Sequence, residues 1–225
     1  MPESPSDPLL SSRAPSICFV TTDFAGVVRN GGIGTHFLLM SRLLARHGWK
    51  VHVVLCGTID RPDLLEATIS DLATDGVTLT FLDVTRLPDL QRVPRFGDEE
   101  PTLHLSQVAF EHLLGVQPRE QFDIIEFQDW GALGFRSVQA KRNGVAFDDV
   151  RLAVKLHSTT QWQREGNLGR RCPRDSRMEY CERYAFEHAD VQLSPTSYML
   201  DYTRDVGWDV RDDAVIAYPF PDPEG

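Results

Sequence analysis

Short apolar runs alternate with longer amphipathic segments along most of this chain. The Val-rich run KVHVVLC (Lys50–Cys56) is typical of a strand that is covered on both faces of a sheet. The stretch THFLLMSRLLARHG before it spaces its apolar residues as a helix does, and Gly48 is a helix stop signal. This alternation predicts an α/β fold with a Rossmann-like, doubly wound and mostly parallel sheet.

The same patterns locate the individual elements. We predict strands over Ser16–Thr22, Lys50–Cys56, Val77–Val84, Phe122–Gln128, Arg151–Ser158, Asp190–Pro195 and Ala214–Pro219. We predict helices over Thr35–Gly48, Arg61–Gly76, Leu103–Gly115, Trp130–Gly144, Asp175–Ala189 and Ser197–Gly207. Two polar stretches, Thr85–Thr102 and the arginine-rich Thr159–Pro173, are predicted to be loops.

Composition limits the kinds of ligand that the chain can bind. The chain has 225 residues and a formal net charge of −10, which argues against a broad nucleic-acid surface. A small anionic ligand is still compatible, because a few backbone N–H groups can hold a phosphate in an acidic protein. The cysteines form no C-x-x-C pair and have no metal-ligand spacing. Cys18 and Cys56 lie in apolar runs and are predicted to be buried thiols.

The two ends of the chain differ in composition from its middle. Residues 1–15 are rich in Pro and Ser, lack the apolar core of a signal peptide and predict a disordered tail. Residues 16–219 form the predicted domain, and residues 220–225 resemble the start of an interdomain linker. No apolar stretch approaches the roughly 18 residues that a membrane span needs. We therefore expect a soluble, cytoplasmic protein.

A glycine-rich loop with Gly31, Gly32 and Gly34 follows the first predicted strand. Glycine lets a ligand approach the backbone without a Cβ in the way, and the helix that follows offers free N–H groups. The spacing is not G-x-G-x-x-G, and the second strand ends in Cys and Gly where an NAD enzyme needs an acidic residue. An NAD-dependent oxidoreductase is therefore disfavoured. A tight turn that serves helix packing is the alternative to a ligand.

Polar residues follow two later strands. His157 stands at the end of RLAVKL and precedes Ser158 and Thr159, while Asp129 and Trp130 follow FDIIEFQ. Ligands of doubly wound sheets bind at the carboxyl ends of the strands, so these residues are candidates for a site. For His157 the alternative is an ordinary satisfied polar residue, and for Asp129 it is a helix cap.

Five stretches, taken in order, resemble the N-terminal half of a GT-B fold retaining glycosyltransferase of the group 1, family 4 type. They are GGIGTHFLLMSRLLARHGWKVHVV, FDIIEFQDWGALGF, VKLHS, ERYAFEHADVQLSPTSYMLDYTRDVGW and VIAYPFPD. The likeness spans residues 16–222. The sequence departs from the family pattern in AYPFPD and in the length of its arginine-rich loop.

The resemblance implies a role for each candidate. The glycines Gly31, Gly32 and Gly34 would lie against the diphosphate and sugar of a nucleotide-sugar donor, and His157 would contact the transferred sugar. The residues expected to border the acceptor are Asp129, Trp130, Ser158 and Thr159. The resemblance also implies transfer with retention, without a cofactor or metal, and a C-terminal donor-binding domain that should follow Gly225. We therefore expect the isolated chain to fold without being a competent transferase.

Two features bear on the alternatives. Glu179 and Glu187 reproduce the E-x7-E spacing of that family's donor domain, but they lie on a predicted amphipathic helix, so we interpret the spacing as coincidence. No Asp-x-Asp pair occurs that could hold a metal-bridged diphosphate. Two other functions stay open. One is half of a nucleotide-sugar epimerase, and the other is a non-catalytic carbohydrate-binding or partner domain.

Overall fold

The computed structural model describes residues 13–28, 31–83 and 101–216, which together build a seven-stranded sheet flanked by helices. The strands are β1 (Ser16–Thr21), β2 (Lys50–Gly57), β3 (Val77–Asp83), β4 (Ile124–Gln128), β5 (Arg151–Lys155), β6 (Val191–Ser194) and β7 (Val215–Ile216). The helices are α1 (Gly32–Arg46), α2 (Leu65–Thr74), α3 (Pro101–Glu120), α4 (Phe135–Arg142), α5 (Thr160–Gly166), α6 (Pro173–His188) and α7 (Ser197–Asp205).

The strand order is β3-β2-β1-β4-β5-β6-β7, and every neighbouring pair is parallel. The chain starts in the middle of the sheet, winds out to β3 and then returns to the other side of β1 through β4. The direction of winding therefore reverses between β1 and β4, which is where doubly wound sheets bind their ligands. The predicted Rossmann-like, doubly wound fold is confirmed.

Both faces of the sheet are covered by helices, as the apolar strands require. Alternate residues of β1 enter different cores: Ile17 and Phe19 join one apolar cluster, and Cys18 and Val20 join the other. Helices α1 and α2 close the first cluster, while α3, α4, α6 and α7 contribute to the second. The prediction that Cys18 and Cys56 are buried thiols is confirmed.

Helix α1 ends where its sequence predicts. Its last residue is Arg46, and the following Gly48 has a φ of +81°, a conformation that glycine adopts without steric cost. The Gly48 N–H donates to the Ala45 carbonyl at 3.0 Å and so satisfies one of the free carbonyls at the helix end.

Two predicted elements next to the candidate site are wrong in extent. The stretch Thr159–Pro173 is not all loop, because it contains α5 and includes the first residue of α6. The predicted helix Trp130–Gly144 is shorter at its start, since α4 begins only at Phe135. Gly131 and Ala132 have φ values of +78° and +51°, which no α-helix accommodates, and they form a turn between β4 and α4.

Helix α3 is longer than predicted, since it runs on to Glu120 with Pro118 inside it. The predicted loop Thr85–Thr102 falls mainly on residues 84–100, which lie outside the described residues, as do residues 1–12, 29–30 and 217–225. The predicted tail, the end of the last strand and the linker therefore rest on the sequence. Among the described helices, none is long and apolar enough to cross a membrane.

Candidate functional site

The side chain of Gln128 fastens the two loops that leave the sheet at the β1–β4 boundary. Its Oε1 accepts hydrogen bonds from Thr21 Oγ1 at 2.7 Å and from the Thr22 N–H at 3.0 Å. Its Nε2 donates to Thr22 Oγ1 at 2.8 Å and to the Trp130 carbonyl at 2.9 Å. Gln128 is fully buried, so these bonds fix the ends of β1 and β4 relative to each other.

The glycines at the start of α1 face open space. Gly31 precedes the first turn with a φ of −98° and Gly32 begins the helix; both are exposed, and a Cβ at either would meet nothing within 4 Å. Neither packing nor backbone conformation among the described residues demands glycine there. Gly34 differs, because it is buried and its carbonyl accepts from the Ala25 N–H at 3.3 Å. Gly34 thus fits the packing interpretation, and Gly31 and Gly32 fit close approach of a ligand.

His157 lies just past β5 and packs against α1. Its ring centroid is 5.0 Å from that of His36 and 5.6 Å from that of Phe37. Burial lowers the pKa of His157 well below its usual value, and the nearby His36 and Lys155 lower it further. The imidazole is therefore neutral at pH 7. Its Nε2 is buried and has no hydrogen-bond partner among the described residues.

A buried charged cluster lies behind His157. The Glu126 carboxylate on β4 lies 3.7 Å from His36, measured from Oε1 to Nε2, and Lys155 at the end of β5 is 1% exposed. Burial lowers the pKa of Lys155, and Glu126 partly offsets that shift. Burial also lowers the pKa of His36, and Glu126 again partly offsets that shift. No group of three or more His, Cys, Asp or Glu side chains in residues 13–28, 31–83 and 101–216 could hold a metal ion.

Asp129 is buried and binds the backbone of the neighbouring loop. Its N–H donates to the Lys155 carbonyl, and its Oδ1 accepts from the His157 N–H, both at 2.9 Å. Burial raises the pKa of Asp129 to about 7, although backbone N–H groups partly counter this. Asp129 therefore ties the loop after β4 to the start of the loop after β5 and positions the backbone of His157.

Glu182 on α6 also binds both loops. Its Oε1 accepts from the Gly131 N–H at 3.0 Å and from Thr160 Oγ1 at 2.7 Å. Its Oε2 accepts from the Thr160 N–H at 2.7 Å. Burial, and then the nearby Asp129, raise the pKa of Glu182 to about 8.

The remaining predicted residues lie around these two loops. Trp130 is half-buried, and Ser158 is half-buried with its Oγ accepting from Gln163 Nε2 at 2.9 Å. Thr159 is buried and caps α5, since its Oγ1 accepts from the Trp162 N–H at 3.0 Å. The structure thus brings His157, Ser158 and Thr159 together with Asp129 and Trp130. Gly31 and Gly32 lie at the N-terminal end of α1, the same end as His36.

Three residues of this region were not among the predicted site residues. Lys155 has a visible signal, because a lysine inside the apolar run RLAVKL is unusual for a covered strand. His36 has none beyond its place after the glycines. Glu182 cannot be told from its neighbours on α6 by any local pattern, since Glu179 and Glu187 are equally acidic and equally helical.

The E-x7-E pair itself is occupied by local contacts. Glu179 binds Arg164 at 2.9 Å and also Arg171, and Glu187 accepts from Arg183 Nε at 2.6 Å and from the Asp209 N–H at 2.7 Å. Both carboxylates therefore stabilise α6 and its neighbours.

Comparison with known proteins gives a family and a fold. A sequence profile of Glycosyltransferase Family 4 matches residues 30–224 of this chain. No match was found among curated proteins.

Several solved structures have a similar fold. Phytolacca americana UGT2, complexed with UDP-2fluoro-glucose and pterostilbene, is 12% identical with a TM-score of 0.54, over 90% of this chain and 53% of that one. Arabidopsis thaliana UGT89C1, complexed with UDP-L-rhamnose, is 14% identical with a TM-score of 0.51, over 85% and 48%. The catalytic domain of Arabidopsis thaliana starch synthase IV, bound to ADP and acarbose, is 14% identical with a TM-score of 0.50, over 80% and 45%. This chain spans about half the length of these structures.

Proposed function

Because this chain belongs to Glycosyltransferase Family 4, we propose that it forms the acceptor-side domain of an enzyme that transfers a sugar from a nucleotide-sugar to an acceptor. The observation that carries the proposal is the neutral imidazole of His157, whose buried Nε2 lacks a partner among the described residues. His157 lies at the carboxyl end of β5, the end of the strands where doubly wound folds bind ligands. Membership of the family supplies the reaction class, a glycosyl transfer.

The donor is proposed to approach the start of α1. Gly31 and Gly32 leave open space there, and the first backbone N–H groups of a helix carry partial positive charge. A diphosphate placed against them would gain charge when it leaves the sugar, and fixed N–H donors stabilise such developing charge. Among the described residues, no side chain caps the start of α1 and so competes for these groups.

His157 is proposed to bind the transferred sugar. A neutral imidazole has one N–H donor and one acceptor nitrogen, and both suit a sugar hydroxyl. The lowered pKa makes His157 a poor proton donor at neutral pH, so its role is to orient the sugar near the reacting carbon. Trp130 and Ser158 border the acceptor side, with Asp129 and Thr159 holding their backbone in place.

The finer features of the reaction are also proposals. We propose that transfer retains the anomeric configuration, needs no metal, and uses a second domain to hold most of the nucleotide. Turnover by residues 1–225 alone is then not expected, although weak nucleotide-sugar binding is.

Binding of nucleotide-sugars to this chain tests the proposal. UDP-glucose, ADP-glucose and GDP-mannose would each be titrated into ¹⁵N-labelled protein and followed by NMR. We expect at least one of them to shift the amide signals of Gly31 and Gly32 and the ring signals of His157. In an enzyme that contains this domain, His157→Ala should lower transfer ~100-fold, because the sugar is no longer oriented, while the fold is retained. Near-normal transfer by that variant, or shifts confined to other surfaces, would remove the proposed site.

A further inference from the structure

Glu182 lies on α6, and it joins two loops that carry candidate site residues. The loop after β4 carries Trp130, and the loop after β5 carries His157. These loops leave adjacent strands, whose last paired residues are Gln128 and Lys155. Beyond that pair, contacts outside the sheet must keep the loops at a fixed separation.

The Glu182 carboxyl group supplies such contacts with both of its oxygens. Oε1 accepts from the Gly131 N–H and from Thr160 Oγ1, and Oε2 accepts from the Thr160 N–H. Glu182 is fully buried, so water does not compete for these hydrogen bonds. A carboxyl group presents two oxygens to these three donors, whereas an amide of the same size presents only one.

Asp129 closes the connection around His157. It accepts from the His157 N–H, three residues before Thr160, and it lies two residues before Gly131. The two loops are therefore joined at two points, where Asp129 binds His157 and where Glu182 binds Gly131 and Thr160. His157 is held at the first point, and Trp130 lies between Asp129 and Gly131.

We propose that Glu182 is a positioning residue that holds the loop after β4 against the loop after β5 and so fixes the place of His157 relative to Trp130. It acts through backbone groups and touches no reacting atom. The inference rests on the proposed function in one respect, which is that His157 faces the donor sugar and Trp130 faces the acceptor. The loop contacts themselves do not depend on that function.

The test compares two buried carboxylates of the same helix. Glu182→Gln keeps the size of the side chain but replaces one accepting oxygen with an N–H₂ group. Glu179→Gln is the matched control, since Glu179 is also buried on α6 but binds Arg164 and Arg171 rather than the loops. Thr160→Val is a milder variant that removes only the Oγ1 donor.

The readouts are amide hydrogen exchange at Gly131 and Thr160 and the NMR signals of the His157 ring, all measured on the 225-residue chain. We expect Glu182→Gln to speed exchange at one or both amides by about tenfold, the effect of losing roughly one buried hydrogen bond, and to shift the His157 ring signals. Thr160→Val should shift the same ring signals by less. Glu179→Gln should change neither readout, even where it lowers Tm.

Other results would overturn the proposal. If Glu182→Gln leaves the His157 ring signals in place, or if Glu179→Gln moves them equally, Glu182 has a general structural role only. If Glu182→Gln does not fold, unchanged ring signals in Thr160→Val count against the proposal in the same way. Failure of nucleotide-sugars to bind would remove the proposed function, but the loop measurements would still decide whether Glu182 positions His157.

Discussion

At the scale of single residues, His157 shows how position decides chemistry. An ordinary histidine titrates at about pH 6.5, but this one is half-buried beside His36 and Lys155, with its Nε2 shielded from solvent, and it stays neutral. Protonation of His157 would place a second positive charge near Lys155, whose own charge Glu126 stabilises. The same burial leaves Nε2 without a partner among the described residues, and an unpaired buried nitrogen costs free energy unless a ligand binds it.

Gly32 allows the ligand interpretation of the glycines to be tested against a matched glycine. Both Gly32 in α1 and Gly115 in α3 have room for a Cβ, and neither has a positive φ. Alanine at either position should therefore keep the free energy of unfolding or raise it by up to about 1 kcal/mol. We expect Gly32→Ala alone to weaken nucleotide-sugar binding, because its methyl group occupies the approach to the first turn of α1. Urea unfolding and NMR titration measure the two effects, and equal binding by both variants would contradict the assignment.

At the scale of elements, the sequence is informative where one pattern dominates. The predicted bounds of the covered strands β1 and β2 agree with the structure to about a residue, because runs such as KVHVVLC have a single stable environment, the middle of a sheet. Helix α5 is absent from the prediction because its segment is polar and short, and its stability comes from the Thr159 cap and from contacts with α6 and α7. Of the site, the strand-end residues His157 and Asp129 are predictable from topology. Glu182 is not, because no local pattern shows which α6 carboxylate turns toward the loops.

Substitution of two helix caps distinguishes an effect on local stability from an effect on site geometry. Thr159 caps α5 and Thr196 caps α7, each through Oγ1 accepting from the N–H three residues on, at 3.0 Å and 3.3 Å. Replacement by alanine should cost about 1 kcal/mol of unfolding free energy in both cases. Only Thr159→Ala should also shift the ring signals of His157, because α5 begins in the same loop. Thr159→Ser should restore both properties, and an equal effect of Thr196→Ala on His157 would show that the signals report general stability.

At the scale of the whole molecule, buried titratable groups should give stability an unusual dependence on pH. Asp129 and Glu182 have pKa values raised by burial to about 7 and about 8. Their folded forms hold protons that the unfolded chain has released, so their contribution is complete below about pH 4 and is lost as the pH rises through 7 and 8. Buried histidines act in the opposite sense. Their pKa values are lowered in the folded chain, so their contribution is present above about pH 6.5 and is lost on acidification. These histidines are His36, His52, His112 and His157.

Together, these carboxyl groups and histidines should give the free energy of unfolding a maximum at about pH 6.5, with a fall on both sides. Between about pH 6.5 and pH 9 we expect a loss of a few kcal/mol, since each unit of pKa shift is worth about 1.4 kcal/mol. Asp129→Asn and Glu182→Gln should each be less stable than the unsubstituted chain at about pH 6, because hydrogen bonds are lost, but should decline less toward pH 9. Glu179→Gln, which removes a carboxylate that Arg164 and Arg171 hold, should keep the full alkaline decline. Urea unfolding across this pH range measures all four chains, and stability that rises from about pH 6.5 to pH 9 would show that these carboxyl groups are charged in the folded protein without a penalty.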